Sequence, residues 1–196
     1  MGTGSLRSLL EAQLKDLYNI EIQMLIQLPR LKSRCASDQL YRALDEHEDV
    51  TNLQLKRLEE IGFTLAVELT GKTSTVMQSL IEEAEELLEE NAPATVYDIA
   101  TASFAQRIIH LEIAAYKSAS SLADHLGLSR VYNMLLESLT EENSMNDLLA
   151  EIRKSELFPK NDWEWSSTQE AYNDLPGDPA FLTDSDVEDD YPSDIY

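Results

Sequence analysis

Apolar residues recur every three or four positions from about residue 5 to residue 154, and alternating β-branched runs are almost absent. That period predicts helices throughout this part of the chain. The stretch "GSLRSLLEAQLKDLYNIEIQMLIQLPRL" reads as one helix from about Ser5 to Arg34, with Pro29 allowing a kink near its end. A short "ASDQ" link follows, in which Ser37 is a plausible N-cap, and a second helix runs to about Ile61, where Gly62 is expected to stop it. So tight a link makes the two helices antiparallel neighbours. Residues 62–93 hold a short acidic helix, "TVMQSLIEEAEELLEEN", and a third long helix is expected after Pro93, from Ala94 to His125. The "LGLS" break offers Gly127 as a stop and Ser129 as a cap before a fourth long helix reaching about Lys154.

Each long helix carries a polar residue among its apolar ones. In the first, Glu21 lies on the stripe formed by Leu10, Leu14, Leu17, Leu25 and Leu28. In the second, His47 shares a face with Leu40, Leu44, Thr51 and Leu58. In the third, Glu112 lies beside Ile108, Ile109, Ala115 and Tyr116, while His110 lies with Gln106 and Ile113. In the fourth, Glu142 follows Leu135 and Leu139 and precedes Asn146 and Leu149. An unpaired buried carboxylate is costly, so such groups must be neutral, mutually paired, wet or bound to a cation. Four helices that direct carboxylates and an imidazole to one point can hold a metal, and mixed oxygen and nitrogen ligands suit iron or manganese. A metal-free network of hydrogen bonds and ion pairs satisfies the same residues equally well on pattern alone. Tyr18 and Tyr116 fall nearby, where packing is their expected role.

Two helical hairpins joined by one long crossover give the connectivity of a ferritin-like four-helix bundle, all-α, with a short helix in the crossover. The length suits one such domain, here residues 1–154. Residues 155–196 differ sharply. They hold twelve Asp and Glu against the single Lys160 and so carry half of the net charge of −22, with no helical stripe. This composition predicts a flexible acidic tail, although Trp163, Trp165, Tyr172 and Phe181 make it aromatic enough for a protein partner to recognise.

The charge disfavours nucleic acid and anionic membrane surfaces as partners. One cysteine, Cys35, excludes an intrachain disulfide. No signal peptide or membrane-spanning run is evident, so a soluble cytoplasmic protein is expected. No nucleophile with its base, glycine-rich phosphate loop or cysteine-based zinc pattern is present, which leaves hydrolase, kinase and zinc-finger functions without support.

The blocks "LKDLYNIEIQMLIQLPRL", "ALDEHEDVTNLQLKRLEEI", "AQRIIHLEIAAYKS" and "LLESLTEEN" resemble, in order and spacing, the bacterial YciE/YciF-type ferritin-like stress proteins over roughly residues 5–154. The resemblance implies a ferritin-like bundle, a homodimer, a dimetal centre between the helices and metal ligands at Glu21, His47, Glu112 and Glu142. It brings no established reaction, only an association with stress. Two positions depart from the family pattern. Val50 stands where an acidic residue follows the helical His, and Ile109 stands where Glu usually precedes "HLE". A dimetal centre normally takes about four carboxylates and two histidines, so this chain has fewer well-placed ligands, with Asp49, His110 and Asn146 as the nearby substitutes.

Two functions are therefore expected to compete. In one, iron (as a di-iron pair) or manganese in the bundle core protects the cell against oxidative stress. In the other, a metal-free helical scaffold acts through its acidic tail.

Overall fold

The computed structural model describes residues 5–89 and 93–157. The described residues form five α-helices and no strand: α1 (Leu6–Lys32), α2 (Asp38–Leu65), α3 (Thr75–Glu89), α4 (Ala94–His125) and α5 (Ser129–Ile152), which runs on into a π-helical turn, Arg153–Leu157. The acidic aromatic segment with Trp163, Trp165, Tyr172 and Phe181 lies outside the described residues.

The four long helices pack in a ring. α1 lies against α2 and α4, α5 completes the ring against α2 and α4, and α3 in the crossover rests on α4 and more lightly on α1. This is the expected bundle of two hairpins with a helix in the long connection. No helix among the described residues is long and apolar enough to cross a membrane.

The first hairpin turn is held by polar groups rather than by glycine. The Ser37 side chain accepts from Leu40 N, as expected of an N-cap, and donates to Glu156 Oε1 at 2.6 Å. The buried carboxylate of Asp98, on α4, accepts from Ala36 N and Ser37 N at 3.0 and 2.8 Å. Free N–H groups at a helix start favour an acceptor of negative charge, so α4 and the last turn both fasten the start of α2.

Three helix ends differ from the sequence expectation. α2 passes through Gly62 and stops four residues later, where Ala66 adopts the left-handed conformation (φ 55°) and its N–H and that of Val67 bond back to Phe63 and Gly62. Gly62 is needed for space instead: a Cβ there would sit 3.0 Å from Leu69 Cδ1 and Cγ. At the second break Gly127 (φ 69°) does end α4, with Gly127 N bonded to Asp124 O and Leu128 N to Ala123 O. Ser129 is not the cap of α5 but its first residue; Leu128 precedes it with no side-chain bond to the helix. The helical chain also reaches beyond Lys154 to Leu157, whose side chain is buried in the core.

The interior is two apolar clusters, not one. One gathers Ile20 to Leu31, Leu40 to Leu44, Ala102 to Ile109 and Met145 to Leu157, together with Met77 and Ala84 of α3. The other gathers Leu10 to Leu17, Leu58 to Leu69, Tyr116 to Ala123, Val131 and Leu135. Every long helix passes from one cluster to the other, and it does so at Glu21, at His47 to Gln54, at Glu112 and at Ser138 to Glu142. A polar layer therefore crosses the middle of the bundle.

Candidate metal centre

All four residues expected at the site lie in this layer. Glu21, Glu112 and Glu142 have no exposed surface, and His47 is 2% exposed. Their helical phases explain the burial. On α1 the stripe runs Leu10, Leu14, Leu17, Glu21, Met24, Leu28, so that Met24 and not the half-buried Leu25 follows Glu21. Leu40, Leu44, Thr51 and Leu58 are buried with His47 as expected.

His47, Glu112 and Glu142 come together. Each offers a ligand atom, and these atoms all lie within 4.8 Å of one another. Glu21 stands just outside this trio, with its Oε1 accepting from the Tyr116 hydroxyl at 2.5 Å. Glu142 Oε1 accepts from Gln54 Nε2 at 2.6 Å. Five further atoms of these residues, Glu21 Oε2, His47 Nε2, both oxygens of Glu112 and Glu142 Oε2, have no hydrogen-bond partner.

The electrostatics follow from burial and crowding. Loss of water raises the Glu112 carboxyl well above the usual carboxylate range, and the charges of Glu142 and Glu21 raise it further. Glu21 is likewise raised well above that range, by burial and then by Glu142, with the Tyr116 bond opposing. Burial pushes Glu142 up to about 7 against the help of Gln54. His47 is pushed down to about 4 by loss of water, so it is a neutral imidazole able to offer a lone pair at neutral pH. No N–H or O–H of a neighbouring group meets either Glu112 oxygen; only a proton of its own could bridge it to Glu142. Arg57, the cation whose charge bears on Glu21, is committed elsewhere, to Glu137 and Glu141 at 2.9 Å and to Ser138 Oγ at 2.7 Å.

These residues fit a divalent cation. His47, Glu112 and Glu142 converge and each has an unpartnered atom, and two carboxylates with one imidazole, with the third carboxylate of Glu21 in the same layer, are the mixed oxygen and nitrogen set that iron and manganese take. The substitutes proposed from sequence do not join them. Asp49 and His110 are exposed, and half-buried Asn146 accepts from Gln106 instead. Val50 is half-buried near His47, and Ile109 is fully buried in the first apolar cluster.

Two residues contribute more than the sequence reading assigned them. Gln54 is absent from the sequence pattern above, although it stands seven residues after His47 and so on the same stripe. Tyr116, expected to pack, also donates the bond that holds Glu21. Tyr18 is peripheral and donates to Glu59.

Comparison with known proteins agrees with the architecture. Residues 5–158 match the family described as "Domain of unknown function (DUF892)". Protein YciF of Escherichia coli (strain K12) is 29% identical over 140 residues, which cover 71% of this chain and 84% of that protein. Its crystal structure, described as that of a stress protein, superposes with a TM-score of 0.74 at 27% identity, covering 76% of this chain and 95% of that one. YcfI of Rhodopseudomonas palustris superposes with a TM-score of 0.73 at 29% identity, covering 76% and 98%. A Xanthomonas campestris protein shares the fold at 17% identity, with a TM-score of 0.63 and coverage of 86% and 99%.

Proposed function

We infer the function of this chain from two facts: it belongs to the DUF892 family, and its four long helices bury three carboxylates and an imidazole in one polar layer. The reading is a stress-associated ferritin-like bundle that binds iron or manganese in its core. The observation that carries it is the set of five buried atoms without a protein partner on Glu21, His47, Glu112 and Glu142. Native interiors leave few such atoms, and each needs an explanation.

His47, Glu112 and Glu142 would hold the ion, with Glu21 beside them. Bound iron or manganese would supply redox chemistry toward oxygen or peroxide, which suits protection under oxidative stress. The chain's own residues set the conditions for this. Burial keeps His47 neutral and bulk water away, Tyr116 orients Glu21 through Oε1, and Gln54 orients Glu142 through Oε1, leaving the second oxygen of each carboxylate open. Such outer hydrogen bonds fix the direction of a ligand and tune its basicity.

The test is metal content by mass spectrometry on the full chain, after anaerobic loading with Fe(II) or Mn(II) and desalting. Retained metal in the wild type that is lost in His47→Ala and Glu142→Ala supports the reading. Absence of retained metal in the wild type overturns it and favours the scaffold, in which the bonds from Tyr116 and Gln54 belong to a metal-free core network.

A further inference from the structure

The trio is sealed from solvent, so a hydrated cation reaching it has to pass between helices. One of the four seams between adjacent long helices is that between α2 and α5. A cavity of about 280 Å³ opens in that seam, and its walls include Glu46, His47, Val50, Glu141, Ser144 and Met145. His47 thus belongs both to the cavity wall and to the ligand trio. Three other surface cavities, beside Lys117, beside Arg30 and Tyr97, and beside Arg57 and Arg130, are lined by no member of the trio.

We propose that the α2–α5 cavity is the port through which a divalent cation enters and leaves the core, a reading that rests on the metal site inferred above. Its parts are ordered for that task. Glu46 is exposed at the rim and Glu141 is half-buried beside it, so the mouth attracts cations even though Arg57 pairs with Glu141. Half-buried Val50 and buried Met145 add apolar wall, which holds an ion weakly. The neutral His47 imidazole comes next, with Nε2 unpartnered, and Glu112 and Glu142 lie behind it. Arg57 closes the same seam on one side of the cavity by joining α2 to Ser138 and Glu141 of α5.

The probe is Co(II), whose binding is followed by visible absorption after rapid mixing with the chelator-treated full chain. Ser144→Trp fills the cavity from an exposed position on α5 that is not itself a proposed ligand, although the cavity wall it covers includes His47. It is expected to bind the same amount of Co(II) as the wild type, with uptake, and release to a chelator, slowed about tenfold or more. Lys117→Trp, placed in the cavity on the outer face of α4, is expected to change neither rate. Glu46→Lys provides a second variant should Ser144→Trp not fold: it reverses one rim charge, and uptake is expected to slow at low salt with the difference shrinking as salt rises.

Wild-type rates in Ser144→Trp and Glu46→Lys would overturn the port while leaving the metal site standing. Equal slowing by Lys117→Trp would also overturn it, because entry would then follow general opening of the bundle. No Co(II) uptake by the wild type would overturn the metal site itself, and the port with it.

Discussion

Glu112→Gln should make the metal-free protein more stable while abolishing its response to metal. Glu112 is fully buried, neither of its oxygens has a hydrogen-bond partner, and burial with two neighbouring carboxylates holds its pKa well above the ordinary 4.5. In the unfolded chain at pH 8 the same group is ionised. Each unit by which the folded pKa exceeds the unfolded one costs about 1.4 kcal/mol once the pH is above both. Glutamine has the same shape, needs no proton and can donate to the unpartnered Glu142 Oε2, while its carbonyl is no worse placed than the Glu112 oxygens, which also lack a donor. The gain is expected to be of the size of one buried polar group satisfied, about 1–3 kcal/mol, and for a domain of this size each kcal/mol raises the melting temperature by about 2–4 °C. Melts followed by circular dichroism at pH 8, with chelator and then with excess Mn(II), check both halves. In chelator the variant should melt above the wild type. With Mn(II) at a hundred times its dissociation constant the wild type alone should gain about 2.7 kcal/mol. A variant that melts at or below the wild type in chelator would refute the reasoning, because the carboxyl would then be contributing to the fold without a cation.

The pH dependence of the metal-free protein should be opposite to that of a chain with surface carboxylates. Glu142, raised from 4.5 to about 7, and Glu21 and Glu112, both raised well above the ordinary value, bind protons more tightly when folded, so their contribution is full below pH 4.5 and is lost as pH rises through the folded values. His47, lowered from 6.5 to about 4, acts in the other direction but only between those two values. Above pH 6.5 the carboxylates act alone: the urea midpoint should fall from pH 6.5 to 8, and Glu142→Gln should flatten the slope; a midpoint that rises over this range contradicts the assignment. At the end of α2, Ala66→Gly should stabilise by about 1 kcal/mol by relieving a left-handed alanine. Gly62→Ala should cost about 1–3 kcal/mol by pressing on Leu69, and urea melts measure both.

The helices and their polar interruptions were legible because both follow from one period. A stripe that places Leu14 and Leu17 inside also places Glu21 inside, and the same holds for His47 between Leu44 and Thr51. Helix ends were less legible. Gly62 reads as a stop, yet its missing Cβ serves the approach of Leu69, a contact made only once the crossover folds back. Ser129 reads as a cap, yet the bonds that organise that corner belong to Gly127 and Leu128. Partners across helices were the least legible. Gln54 lies on the right stripe, but its bond to Glu142 spans 88 residues of sequence. Spacing within one helix holds no record of what faces it from another.

The donors left open in the polar layer suit one cation better than two. Tyr116 already occupies one oxygen of Glu21, and Gln54 occupies one oxygen of Glu142, each with a proton where a second ion would place positive charge. The two family positions that depart from acidic residues add apolar surface instead: Ile109 packs into the first cluster, and Val50 lines the α2–α5 cavity. Neither change relieves the crowding of Glu112 with Glu142. A bundle selected for stability alone gains by filling such a layer with leucine, since replacing buried charged groups by well-packed apolar ones is often neutral or stabilising. Keeping three carboxylates there, two of them raised well above their ordinary range, is a cost that a bound cation would offset and packing would not.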